Sequence, residues 1–138
     1  MNRKEITMNE ETEKTLPSLA DASGEELARA IYGILDGKKA KDIQILKVND
    51  KTIITDYFVI CTGNSTTQVK SLGDEVEYQL GLRGRDPIHY EGRGNGSWLV
   101  VDYASVILHV FSRESRDFYQ LEKLYGDAEM VAVEPSEE

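Results

Sequence analysis

The chain has 138 residues and a formal net charge of −9, from 16 Lys/Arg against 25 Asp/Glu. That length suits one domain able to bury its own core. No apolar run reaches the roughly 18 residues of a membrane helix, and a single cysteine excludes an internal disulfide.

The charge is placed unevenly. Residues 1–26 carry three bases and seven acids, residues 127–138 carry five acids and no base, and the stretch between them is neutral. Such ends argue against non-specific nucleic-acid binding, which relies on Lys/Arg neutralising phosphates. They suit a basic protein partner, although solubility alone would account for them. The N-terminus has neither a signal-peptide apolar region nor the Arg-rich, acid-poor character of a transit peptide. With one cysteine inside an apolar run, a reducing, cytoplasmic setting is expected.

Residues 1–21 are polar, contain Pro17 and show no sustained apolar period, so a flexible acidic extension is expected there. The domain proper is expected over 22–126. Ser23 and Glu26 form a capping box for a first helix over about 24–35, with Leu27, Ile31, Ile34 and Leu35 on one face. A first strand over 42–48 alternates Ile43 and Ile45 with polar neighbours. The second, over 57–61, is apolar throughout, as a strand buried on both faces reads. Ser65 with Gln68 then caps a second helix over about 66–80, which places Val69, Leu72, Val76 and Leu80 on one side.

A short third strand over 88–91 is followed by Gly92-Arg93-Gly94-Asn95-Gly96, read as a mobile connection. Strands over 98–102 and 106–111 are joined closely enough to form an antiparallel hairpin. Ser112 or Ser115 caps a last helix running to about Tyr125, with Phe118, Leu121 and Tyr125 on one face and Arg116, Tyr119 and Lys123 on another. Residues 127–138 read as an acidic tail. The order predicts an α/β (α+β) fold, a mixed five-stranded sheet flanked by helices.

Chemistry is hard to place on this pattern. Strand, Gly63 turn and helix N-terminus together resemble the opening of a nucleotidyltransferase fold, where such a turn holds a phosphate. That reaction needs two carboxylates on one face of the next strand to hold metal ions. Here the strand reads Ile88-His89-Tyr90-Glu91 and supplies only Glu91. Neither His89 nor His109 is tied by spacing to a nucleophile, and one cysteine with two histidines gives no zinc pattern. His109, amid apolar neighbours, reads as a hydrogen-bonded core residue. Surfaces remain: Trp98 serves either sheet packing or an interface, and the Arg116, Tyr119, Lys123 stripe is either a binding face or a solvated one.

Several motifs in order carry a resemblance. They are T-D-Y-F-V-I-C-T-G-N-S-T-T-Q-V from Thr55, Glu91-Gly92, W-L-V-V-D-Y from Trp98, V-I-L-H-V-F from Val106, and R-D-F-Y-Q-L-E-K-L-Y from Arg116. Together they make the chain similar to the ribosomal silencing factor, or Iojap-like, family over roughly 100 residues. The resemblance implies a nucleotidyltransferase-like fold without its active site, and so no enzyme activity, no cofactor and no metal. It further implies a repressor that binds the large ribosomal subunit through ribosomal protein L14, blocks joining of the small subunit and lowers translation when nutrients are short. Little direct nucleic-acid binding, no membrane partner and a homodimer in the free state complete the expectation. Trp98, Tyr103, Arg116, Tyr119 and Lys123 form the candidate partner-binding set. Tyr125 stands where many members carry tryptophan.

Overall fold

Two segments whose side chains are apolar on both sides make the middle of the sheet. In the computed structural model, which describes residues 16–133, these are β2 (Tyr57–Gly63) and β5 (Val106–Ser112), buried at nearly every position. They pair in parallel, Val59 opposite Leu108 and Cys61 opposite Val110. The alternating segments flank them: β1 (Lys41–Lys47) lies antiparallel to β2, and β4 (Trp98–Asp102) lies antiparallel to β5. The short β3 (His89–Glu91) forms one edge and β6 (Glu129–Met130) the other, giving the order β3-β4-β5-β2-β1-β6.

The expected capping residues start both long helices. In α1 (Gly24–Gly37) the Glu26 N–H donates to Ser23 Oγ at 3.1 Å, and the Ser23 N–H donates to Glu26 Oε1 at 2.8 Å. In α2 (Thr66–Leu82) the Gln68 N–H donates to Ser65 Oγ. Their apolar stripes, Leu27, Ile31 and Leu35 with Val69, Leu72, Val76 and Leu80, cover the same face of the sheet over Val59, Cys61, Leu99 and Leu108. Among the described residues, the opposite face is covered only by α3 (Arg113–Tyr119), α4 (Leu121–Leu124) and the segment after them, over Phe58, Ile60, Ile107 and Phe111. That unequal cover leaves one face of the sheet partly open.

Three expectations are corrected. The sheet has six strands rather than five, because the acidic C-terminal segment contains apolar anchors. Leu46 pairs with Met130, the Val131 N–H donates to the Ile45 carbonyl at 2.9 Å, and Val131 and Val133 rest on the helix-side core. The expected flexible extension lies outside the described residues up to residue 15, but its last part is anchored. Leu19 is buried, its N–H donates to the Arg83 carbonyl at 2.7 Å, and Arg85 Nη1 donates to the Leu19 carbonyl. The last helix is two short helices, α3 and α4, separated at Gln120, which takes a left-handed conformation.

Gly63 has a steric task. A Cβ there would stand 2.9 Å from Val69 Cγ2 and 3.0 Å from the Val69 backbone nitrogen, so α2 could not approach β2 as it does. Gly63→Ala is therefore expected to lower stability by about 1–2 kcal/mol, read as a lower urea midpoint at unchanged slope. A midpoint equal to wild type would show that the helix can step back freely.

Candidate partner-binding site

The turn after β2 was the place to look for a phosphate. Two of its donors are taken by its own side chains: the Asn64 N–H donates to Gln68 Oε1 and the Gln68 N–H to Ser65 Oγ. Among the described residues, no group of three or more His, Cys, Asp or Glu side chains could hold a metal ion. Burial pushes the Cys61 thiol up to about 12, which keeps it protonated and unreactive.

The open side of the sheet holds something different, a run of contacting rings. Trp98 and Phe111 are cross-strand partners and stack with centroids 4.9 Å apart. Tyr119 lies 4.6 Å from Trp98, and Phe118 meets Tyr119 edge-on at 4.9 Å. The Trp98 indole donates from Nε1 to His109 Nδ1 at 3.1 Å, so His109 is the hydrogen-bonded core residue expected and its proton sits on Nε2. From this half-buried base the surface rises to Tyr119, 49% exposed, Phe118, 77% exposed, and Leu124, 76% exposed. Phe118 and Tyr119, exposed and in contact over a half-buried aromatic base, have the composition of an interface centre.

Burial also lowers the His109 pKa to about 4 from its usual 6.5. Between those values the unfolded chain binds a proton that the folded one does not, so stability is complete above about 6.5 and is lost as pH falls towards 4. Between pH 7 and pH 5 this amounts to roughly 2 kcal/mol. Urea unfolding at the two pH values is expected to show that loss in the wild type and most of it removed in His109→Gln.

Arg116 is not on this surface. It is buried, with Nε donating to Glu122 Oε2 at 2.8 Å and Nη1 donating to Thr62 Oγ1 at 2.8 Å. Residues six apart in a continuous helix would sit about 9 Å apart along the axis and on different faces. Gln120 breaks the helix with φ 48 and ψ 51, and the break swings Glu122 back onto Arg116. The expected Arg116, Tyr119, Lys123 stripe therefore does not exist: Tyr119 and Lys123 are exposed on separate short helices, and Arg116 lies beneath them.

Tyr103 is also withdrawn from the surface, at 1% exposure within the helix-side core. Phe118 and Leu124, both largely exposed, lie outside the set expected from the sequence. Phe118 was expected on one helix face with Leu121 and Tyr125, and the break at Gln120 separates it from both. Beside the break a groove of about 560 Å³ opens. Its acids Asp42, Asp117 and Glu122 balance Arg113, Arg116 and Lys123, so it has no bias towards an anion. Arg113, 2.6 Å from Asp42, holds that carboxyl below its ordinary pKa.

A family model described as "Ribosomal silencing factor during starvation" matches residues 21–138. The chain belongs to that family. It is 35% identical over 112 residues to the ribosomal silencing factor of Halalkalibacterium halodurans, covering 81% of this chain and 96% of the relative. With the one from Haemophilus influenzae it shares 40% over 100 residues, 72% of this chain and 98% of the relative. A mouse protein named for mitochondrial assembly of the ribosomal large subunit is 33% identical over 69% of this chain and 43% of its own length. Among solved structures, a Chromobacterium violaceum protein superposes with a TM-score of 0.72 at 32% identity, covering 81% of this chain and 89% of the other. In this ribosomal silencing factor family member, the exposed rings lie on the sheet face opposite the two long helices.

Proposed function

We propose that this chain silences translation by binding the large ribosomal subunit through ribosomal protein L14, which blocks joining of the small subunit when nutrients are scarce. The observation that carries it is the aromatic surface of Trp98, Phe118 and Tyr119 in a chain of this family, with the acidic chain ends suited to a basic partner. The part of the mechanism assigned to the protein is steric. A rigid sheet presents the rings, partner binding buries them, and the body of the domain stands where the small subunit would dock. In the free protein the same patch is available to a second copy of the chain. No bond-making step is needed, and two of the N–H groups at the turn after Gly63, those of Asn64 and Gln68, are already bonded to side chains of the same turn.

The test is sedimentation of the tagged protein with lysate through a sucrose gradient. Co-migration with free large subunits, together with fewer joined ribosomes when purified subunits are mixed with it, is the expected result. Absence from every ribosomal fraction overturns the reading.

A further inference from the structure

The glycine-rich segment between β3 and β4 is held where a mobile connection was expected. Gly92 has φ +83 and no room for a Cβ, which would fall 2.3 Å from the Trp98 carbonyl oxygen. Asn95 Oδ1 accepts from the N–H groups of Ser97 and Trp98, and the Ser112 N–H ties to the Ser97 carbonyl at 2.8 Å. From the middle of the loop Arg93 reaches back to α2. Its Nη1 donates to Asp74 Oδ1 at 3.1 Å, its Nη2 to both Glu77 oxygens, and its guanidinium carbon lies 3.7 Å from the centre of the Tyr90 ring. The Tyr90 hydroxyl completes the arrangement by donating to Asp74 Oδ1 at 2.7 Å.

We propose that Arg93 is a positioning residue for the partner-binding surface, a latch that fixes the β3–β4 hairpin to α2 and thereby holds Trp98 in its binding orientation. The inference rests on the proposed role of Trp98 in docking. The latch closes on the helix side of the sheet, and Trp98 projects from the other side of the same hairpin, five residues on. β3 is an edge strand of three residues, and the corner otherwise meets α2 through packing, Tyr90 and Leu99 against Gly73 and Gly96 against Thr66, so Arg93 adds the oriented polar contact from the loop itself. Isolated exposed ion pairs contribute little. This one is a planar fork shared between two carboxylates and stacked on an aromatic ring, an arrangement whose geometry is fixed as well as its charge. Its effect falls on local order, because ordering a contact beforehand strengthens association without any added contact.

Trp98 is the only tryptophan, so the free protein reports its own state. Arg93→Ala is expected to raise acrylamide quenching of Trp98 fluorescence and lower its anisotropy while the thermal midpoint stays near wild type. Binding to salt-washed large ribosomal subunits is expected to weaken roughly fivefold, mostly through faster dissociation. Arg93→Lys, which keeps the charge and loses the fork, should fall between the two. Unchanged quenching and anisotropy in Arg93→Ala overturn the latch, whatever the affinity. If Arg93→Ala loosens Trp98 while Trp98→Ala itself binds subunits like wild type, the latch stands and the docking assignment of Trp98 is what fails.

Discussion

Tyr119→Ala is expected to weaken binding to large ribosomal subunits about tenfold or more, a loss of at least roughly 1.4 kcal/mol, with little change in folding stability. Half of its surface is exposed, and the ring rests on Trp98 rather than filling the core, so truncation removes contact area without opening a cavity. Trp98→Ala should cost still more, about 2–4 kcal/mol in binding, if Trp98 is the anchor beneath. Its interpretation needs a stability control. Truncation also removes the stacking on Phe111 and leaves the buried His109 Nδ1 without its donor. Subunit binding by sedimentation, read beside thermal unfolding of the same samples, separates the two effects. A Tyr119→Ala protein that stays folded and binds and inhibits like wild type would remove the aromatic patch from the contact.

Arg116→Ala is expected to cost about 3 kcal/mol of folding stability, towards the lower end for a broken buried ion pair because Glu122 keeps 30% of its side-chain surface in solvent. The variant leaves the Glu122 carboxylate partly buried without its counter-charge and Thr62 Oγ1 without its donor. It also releases the break at Gln120, so Tyr119 and Lys123 lose their mutual placement. The double variant Arg116→Met, Glu122→Gln is expected to be more stable than Arg116→Ala, since it leaves no unpaired buried charge. Urea midpoints of the three proteins provide the measurement. A single variant as stable as wild type would mean that the pair holds nothing together.

These two residues also mark where reading the sequence stops. The buried strand 57–61, the Ser23–Glu26 capping box, the Ser65 cap and the apolar stripes of the two long helices were legible because each is set by residues close in the chain. The family was legible for a similar reason, since several motifs in fixed order are far more specific than any one of them. His109 was readable as a core residue from its apolar neighbours alone. Tertiary structure decided the rest. A helical repeat places Arg116, Tyr119 and Lys123 together, and the Thr62 hydroxyl, 54 positions away, with Glu122 beyond the break, draws Arg116 inward. Composition marks residues 127–138 as a solvated tail, and only the open edge of β1 turns part of it into a strand. Three glycines suggest a mobile loop, and only α2, carrying Asp74 and Glu77, supplies the carboxylates that hold Arg93. Local pattern fixes what a segment can be, because propensity and capping act over a few residues. Whether a side chain is contact, core or clamp depends on partners that only the folded chain brings within hydrogen-bond distance.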